Sequence, residues 1–416
     1  MNPKLPSQHP GKYGLLGRKL SHSYSVQIHK HLGEYPYQLY EIEPQDLGSF
    51  LRSEEFDGLN VTIPYKAEVI PYCTELSPVA QRLGAVNTLI RRSDGSLMGH
   101  NTDYYGFLST VQQSGLLLKG KKVLVLGSGG ASKAVCAVLE DLACNVIVIS
   151  RSGENNYQNI ALHADAALLV NATPVGMYPN NGIWPINIDL LPNLEGVIDL
   201  IYNPGRTALI QQAAQKGLIA INGLWMLVAQ AKESSQWFTG KVLADNLIQK
   251  ISRILQMQME NIVLIGMPGS GKSTIGKLLA HELGRTFVDT DDIIRESAGR
   301  SISEIFKHEG EAAFRKLETE ALAQVGKESG LVIATGGGCV TRSENYPLLH
   351  QNGRIYWIQR DIALLPTDGR PLSQTGQLTK MYQIRRPLYE AFADHVIQNE
   401  KDPLSAVFEI IHTEGD

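Results

Sequence analysis

Two glycine-rich turns in this chain have the residue types and spacing that chemistry on phosphates requires. The first is Gly266-Met267-Pro268-Gly269-Ser270-Gly271-Lys272-Ser273, a GxxxxGKS pattern that follows the apolar run NIVLIG and opens the helix-like stretch KSTIGKLLAHEL. Between a strand and a helix, successive backbone amides of Gly269, Ser270, Gly271 and Thr274 cradle phosphate oxygens, Lys272 reaches the β and γ oxygens, and Ser273 ligates magnesium. This pattern predicts a site for ATP with Mg2+. It does not name the group that accepts the phosphoryl.

The second turn is Gly127-Ser128-Gly129-Gly130-Ala131, between the apolar run KKVLVLG and a helix-like stretch that runs to about Leu142. Glycines at such a turn let the backbone approach a pyrophosphate, which the free amides and dipole of the helix N-terminus then hold. A dinucleotide is expected here. Its type is decided about 20 residues further on, where an acidic residue would bind the ribose 2′-hydroxyl of NAD. Here the chain has Ser150-Arg151-Ser152, and a planar bidentate arginine suits a 2′-phosphate, so NADP(H) is favoured, with Glu154 acting against it.

These turns need parallel strands to carry them. KKVLVLG, NVIVIS, AALLVNATP and GVIDLIYNP are short apolar runs ending in turn residues, as expected of strands buried on both faces, and the pattern restarts at Asn261. Val242 to Leu255 reads as an amphipathic helix, and the main boundary falls at Gln256 to Glu260 with no flexible linker. With 416 residues, more than one core is expected. The fold class is α/β: an N-terminal α/β substrate domain plus a Rossmann-like NADP-binding domain, then a P-loop domain with a parallel five-stranded sheet.

Composition excludes several functions. A formal net charge of -4 provides no basic field for nucleic acid or an anionic membrane, so anionic substrates must meet local cations. The four cysteines are scattered with no CxxC pair, and the histidines His22, His29, His31 and His100 have no metal-ligand spacing, reading as helix-surface or loop residues. No run reaches a membrane span and Met1 to Lys12 lacks a signal-peptide core, so a cytoplasmic protein is expected.

The first half resembles the shikimate dehydrogenase family. The resemblance rests on GRKLSHSYSVQIH, NVTIPYK, GAVNT, NTD, NATPVGM, DLIYNP and the GLWMLVAQA segment, in the family's order. It implies that Ser23 and Ser25 bind a substrate carboxylate, that Lys66 and Asp103 form the proton-transfer pair, and that Asn60, Thr62, Asn87, Tyr202 and Gln230 orient the substrate. It also implies that Thr173 and Gly223 line the cofactor. A ketone reduction needs a proton on oxygen as well as the cofactor's hydride on carbon, and the protonations of such a pair are coupled. The chain departs from the family between Ser152 and Ala166, where it is short, and at Asn155, where a second phosphate-binding arginine is usual.

The second half resembles shikimate kinases through VDTDD, GEAAFRKLE, TGGG, DGRPL and RRPLY. The resemblance implies Asp291 on substrate hydroxyls, Asp289 near the metal and the attacking oxygen, and Arg315 and Arg385 on the carboxylate, with Glu318 orienting Arg315. It further implies Gly337 and Gly338 at the substrate and Arg370 as a lid arginine over the phosphates. Between Ile358 and Arg370 the chain is abbreviated by Pro366.

Together the two resemblances imply a bifunctional enzyme reducing 3-dehydroshikimate to shikimate and then phosphorylating shikimate. Expected domains are 1–104 for the substrate, completed by helices from about 225–256, then 105–224 for NADP and 259–416 for the kinase. The partners expected are small molecules, with no nucleic acid and no membrane, and the oligomeric state is open. An inactive sensor in a repressor would lack Lys66, Asp103, Lys272 or Asp291 and add a DNA-binding module; all four residues are present and no such module is visible. Quinate or related polyols stay open as alternative substrates.

Overall fold

A computed structural model describes residues 11–20, 23–365, 375–400 and 402–415. Two compact units compose the chain: one comprises the chain up to Val175 with Pro185–Tyr202 and Gln212–Ile254, and the other Gly176–Trp184, Asn203–Gln211 and Leu255–Asp416.

The first unit contains two sheets. Strands β1 (Tyr13–Gly17), β2 (Tyr37–Glu41), β3 (Gly58–Val61), β4 (Glu75–Leu76), β5 (Thr88–Arg91) and β6 (Leu97–His100) form a six-stranded mixed sheet in the order β2-β1-β3-β5-β6-β4. β1 pairs in parallel with both β2 and β3, while β5 runs antiparallel to β3 and β6. The helix Leu224–Thr239 lies against the helices Asp103–Ser114 and Ser25–Leu32. The first of these contacts is close because Gly106 has no side chain: a Cβ there would lie 2.8 Å from the Met226 carbonyl oxygen. That packing brings Gln230 to the residues at the start of Asp103–Ser114.

The other sheet of this unit is wholly parallel. β7 (Lys122–Leu126), β8 (Asn145–Ile149), β9 (Leu168–Asn171), β10 (Gly196–Asp199) and β11 (Ile219–Ile221) run in the order β11-β10-β9-β7-β8. The chain winds outward on both sides of β7, so the switch point lies between β7 and β9, where open α/β sheets bind ligands at the strands' carboxyl ends. β9 and β10 are buried at every residue, as apolar strands covered on both faces must be. Between β8 and β9 there is no α-helix, only the short 3-10 turn Ile160–His163, which is the structural form of the shortened segment after Ser152.

The second unit is built on β12 (Asn261–Ile265), β13 (Phe287–Asp289), β14 (Val332–Ala334), β15 (Gly353–Gln359) and β16 (His395–Gln398), all parallel, in the order β13-β14-β12-β15-β16. One face of its core is filled by Val263, Ile265, Ile333, Ile355, Trp357 and Tyr389. The segment Asn203–Gln211 belongs to this unit through Arg206, which donates to Glu260 Oε1 at 2.7 Å and to the carbonyls of His350 and Gly353 at 2.8 and 2.7 Å. Arg354 holds the other oxygen of Glu260 at 3.0 Å, so this buried carboxylate has a cation on each side.

Two expectations need correction. The helix expected from Val242 runs instead from Asn246 to Met259, and Val242 is 95% exposed. Residues 241–244 are held outside helical geometry because Lys232, buried on the preceding helix, binds Asp245 at 2.6 Å, and the Leu243 amide donates to the Gln236 side chain at 2.8 Å. His29 is a core residue and not a surface one. Its place beside Ile28 on the inward side of Ser25–Leu32 puts its ring 3.8 Å from Tyr37 in a stack, with Nδ1 2.8 Å from the Tyr35 hydroxyl.

Burial pushes the His29 imidazole down to about 3, and burial likewise takes His100 down to about 4. In the unfolded chain both rings titrate near the ordinary 6.5. Between roughly pH 6.5 and 3 the unfolded state therefore binds protons that the folded state refuses, and stability falls as pH falls through that window. Urea midpoints of the first unit should drop on acidification across this range, with a shallower slope in His29→Gln. An unchanged slope in that variant would show that His29 titrates as a solvated ring.

Candidate active sites

A cleft of about 650 Å³ in the first unit collects residues from most of its elements. Ser23, Ser25, Asn60, Thr62, Lys66, Asn87, Asp103, Ala131, Tyr202, Gly223 and Gln230 all line it. Ser23 and Ser25 stand at the start of the helix Ser25–Leu32, where the dipole favours an anion, and the Ser25 amide donates to Ser23 Oγ at 3.2 Å. Asp103 is the first residue of Asp103–Ser114, so its carboxylate also sits at a helix N-terminus.

Lys66 Nζ donates to Asp103 Oδ2 at 2.6 Å, with both side chains partly open to the cleft. The other oxygen of Asp103 accepts from Asn87 Nδ2 at 2.9 Å, and the Asp103 amide donates to Asn101 Oδ1 at 3.0 Å. A cation and a carboxylate in direct contact, beside neutral donors and acceptors, can give a proton to a substrate oxygen or take it back. Gln230 comes from the distant helix Leu224–Thr239, and Tyr202 follows β10, its ring 6.1 Å from that of Tyr24.

The turn Gly127 to Ala131 lies at the switch point of the parallel sheet. Gly127 has φ +98, and a Cβ there would meet Thr173 Cγ2 at 2.9 Å, so the turns after β7 and β9 close on one another. Thr173 is fixed by Asn171 Oδ1, which accepts from its amide at 3.1 Å and its hydroxyl at 2.7 Å. Gly129 and Gly130 face open space, and the helix Gly130–Asp141 begins with no side-chain cap and no acid in its first turn. Free amides in an open, uncharged setting fit the pyrophosphate of a dinucleotide. Ser150, Arg151 and Ser152 follow β8, whose last residue, Ile149, accepts from the Gly127 amide at 2.8 Å, and Arg151 is exposed. Gly223 has no room for a side chain, since a Cβ would lie 2.0 Å from the Leu200 carbonyl oxygen.

In the second unit the P-loop follows β12. Gly266, Gly269 and Gly271 have φ of +144, +86 and +97, and the helix Lys272–Leu283 starts without a side-chain cap or an acid in its first turn. Lys272 Nζ donates to the carbonyls of Gly266 and Met267 at 2.9 Å each, which holds it along the loop. Ser273 Oγ donates to Asp289 Oδ2 at 2.7 Å. A hydroxyl and a carboxylate side by side are the ligands that a hard cation takes alongside phosphate oxygens, and they fit Mg2+. Among the described residues no cluster of three or more His, Cys, Asp and Glu could hold a metal by itself.

Beside this loop the run TGGG follows β14 and is enclosed by charged side chains. A Cβ on Gly336 would lie 2.5 Å from Glu318 Oε1 and 3.0 Å from Asp291 Oδ1, and one on Gly338 would collide with the Arg315 guanidinium at 2.2 Å. Gly336 and Gly338 are glycine because carboxylates and a guanidinium occupy the space, and Gly337 because a Cβ there would lie 2.6 Å from the Pro268 ring. Arg315 donates to Glu318 Oε2 at 2.7 Å and to Glu311 Oε1 at 3.0 Å, and Arg385 donates to the Gly337 carbonyl at 3.1 Å. Burial pushes the Glu318 carboxyl up to about 7, against Arg315 and with Asp291 adding to the rise. Burial also raises Asp291, and Asp289 adds to it, against Lys272, Arg295 and Arg315. Arg370 and Pro366 lie outside the described residues.

Sequence reasoning missed Tyr389 and Asn399. Tyr389 donates to the Gly337 carbonyl at 2.5 Å, the same oxygen that Arg385 binds, and its spacing of four from Arg385 within a helix was the available signal. Asn399 donates to the Ser270 carbonyl at 2.7 Å across 129 residues, a contact that no local pattern announces.

Comparison with known proteins agrees with this division. Residues 15–89 match the family described as shikimate dehydrogenase substrate binding domain, and residues 268–414 match shikimate kinase. The NADP(+) shikimate dehydrogenase of Clostridium beijerinckii is 35% identical over 269 residues, which cover 60% of this chain and 99% of that protein. A chorismate mutase/shikimate 5-dehydrogenase fusion protein from Clostridium acetobutylicum is similar in structure, with a TM-score of 0.57 and 34% identity over 60% of this chain and 98% of its own. The shikimate 5-dehydrogenase of Thermus thermophilus, solved with NADP(H) and shikimate, gives a TM-score of 0.54 at 31% identity, covering 58% of this chain and 98% of that one. The chain therefore belongs to the shikimate dehydrogenase family and carries behind that part a domain of the shikimate kinase family.

Proposed function

We propose that the first unit reduces 3-dehydroshikimate to shikimate with NADPH and that the second phosphorylates the 3-hydroxyl of shikimate with MgATP. The observation that carries the first reading is the Lys66 to Asp103 contact of 2.6 Å in the cleft that Ala131, the last residue of the dinucleotide turn, also lines. When bound there, NADPH supplies the hydride. Lys66 and Asp103 hold the proton at the carbonyl oxygen, and Asn87 keeps one Asp103 oxygen occupied so that the other faces Lys66. Ser23 and Ser25 hold the carboxylate, and Asn60, Thr62, Tyr202 and Gln230 orient the ring hydroxyls. Gly127, Ser128, Gly129, Gly130 and Ala131 receive the pyrophosphate, with Thr173 and Gly223 beside them and Ser150, Arg151 and Ser152 at the 2′-phosphate.

In the second unit, ATP with Mg2+ supplies the phosphoryl group. Gly269, Ser270, Gly271, Lys272 and Thr274 hold its phosphates, and Ser273 and Asp289 hold the metal. Asp291 takes substrate hydroxyls, Asp289 stands as the base, and Arg315 and Arg385 clamp the carboxylate beside Gly337 and Gly338. Two guanidiniums make a planar, doubly charged receptor for such a group. The expected lid role of Arg370 falls outside the described residues.

The test is a spectrophotometric assay of the full chain with shikimate and NADP+, repeated with NAD+ and with quinate, followed by MgATP. Reduction of NADP+ by shikimate and ADP release that depends on shikimate are the expected results. If shikimate reduced neither coenzyme, or if ADP release were independent of shikimate, the corresponding half of the reading would fall.

A further inference from the structure

We propose that Ser234, which belongs to none of the expected site sets, is a positioning residue that fixes which polar atom Asn60 presents inside the dehydrogenase cleft. The proposal rests on the dehydrogenase reading above. An asparagine side chain has nearly the same shape at its oxygen and its nitrogen end, so only the donor or acceptor character of its neighbours sets its direction. In this cleft Asn60 takes its direction from one buried hydroxyl.

Ser234 lies one helical turn after Gln230 and is fully buried. Its hydroxyl donates to the Gln230 carbonyl at 2.9 Å, which uses its one proton. Towards Asn60 it can then only accept, and Asn60 Nδ2 donates to it at 2.7 Å. The remaining contacts of that nitrogen are long, at 3.4 Å to Thr88 Oγ1 and 3.5 Å to the Asn87 carbonyl, so Ser234 is its main partner. With the nitrogen committed to Ser234, the oxygen of Asn60 faces the Tyr37 hydroxyl, which donates to it at 2.7 Å.

Asn87, by contrast, takes its direction from groups other than Ser234. Ser234 Oγ is 3.1 Å from both Thr88 Oγ1 and Thr102 Oγ1. Those threonines sit 3.0 and 3.2 Å from Asn87 Oδ1, which also accepts from the Thr102 amide at 2.7 Å. A cluster of donors therefore gathers at the oxygen of Asn87, and its nitrogen is left to face Asp103 at 2.9 Å. A direction set at the Gln230 backbone thus passes through Ser234 to the amide of Asn60.

Ser234→Ala in the full chain is the test. The expected result is a rise of about tenfold in the KM for shikimate, the size expected when a buried amide loses its main partner. The KM for NADP+ and the rate of shikimate phosphorylation should be unchanged. In an Asn60→Ala background the same substitution should cost nothing further, because the group it orients is gone. Ser234→Cys, similar in size with a weaker acceptor, should fall between alanine and the wild type, and it carries the same comparisons if the alanine variant does not accumulate. An unchanged KM for shikimate, an equal cost in both backgrounds, or a parallel rise in the KM for NADP+ would each overturn the proposal, the last by showing that the substitution acts on packing. Failure of the unmodified chain to oxidise shikimate would instead remove the functional reading and leave the hydrogen-bond assignment standing.

Discussion

Lys66→Ala is expected to lower kcat for shikimate oxidation by about a thousandfold, the middle of the range for losing a positioned acid or base, and to leave shikimate phosphorylation at its original rate. Lys66 Nζ is in direct contact with Asp103 Oδ2, and the other Asp103 oxygen is taken by Asn87. Removing the ammonium leaves the carboxylate with no partner able to carry a proton between it and the substrate oxygen. The loss should appear in kcat far more than in the KM for NADP+, since the turn Gly127 to Ala131 keeps its amides. Some loss of stability should accompany the substitution, because the Lys66 and Asp103 side chains are only 25% and 13% exposed and removing the ammonium leaves a mostly buried carboxylate without its cation. Stopped-flow traces of NADPH formation on the purified variant give the rate directly. A variant that kept more than about a tenth of the original kcat would exclude Lys66 from proton transfer.

Lys272→Ala is expected to have the opposite pattern, with kcat/KM for ATP down by about a thousandfold and shikimate oxidation unchanged. Lys272 is 7% exposed, and its ammonium is already held by the carbonyls of Gly266 and Met267 at 2.9 Å. A charge fixed in advance where phosphate oxygens arrive needs no reorganisation during transfer, and this makes its removal costly. Shikimate binding to the variant, measured by calorimetry in the absence of ATP, should persist, because Arg315, Arg385 and Asp291 lie on other elements. If shikimate binding vanished together with the ATP reaction, the substitution would have damaged the unit and not its phosphate site. If Lys66→Ala or Lys272→Ala disabled both reactions in a folded chain, the two sites would not be independent.

The glycine turns, the strands that carry them and the α/β class were legible in the chain itself. The reason is local: a buried parallel strand is a short apolar run, and a phosphate-binding turn needs glycine within a few residues of it. KSTIGKLLAHEL could be read as a helix from its pattern, and the structure has a helix over Lys272–Leu283. The reading was weaker where local pattern and tertiary contact disagree. Val242 matches the apolar spacing of the helix that follows, yet the buried Lys232 holds Asp245 and delays that helix to Asn246. His29 has the composition of a surface histidine, and only the return of the chain through Tyr35 and Tyr37 makes its environment apolar.

For the sites, the sequence by itself determined the kinds of groups present: two anion-binding turns, a lysine and an aspartate, and a set of arginines and carboxylates. Which of them meet was decided by tertiary structure alone. Lys66 and Asp103 are 37 residues apart, and Asn60 and Ser234 are 174 apart. The direction of an amide, the occupancy of a carboxylate oxygen and the need for glycine at Gly336 and Gly338 all depend on atoms delivered by remote segments. Hydrogen bonds and charges act over a few ångströms of space, whatever the separation along the chain, so residue types can be read in order while their chemistry exists only once the fold has placed them together.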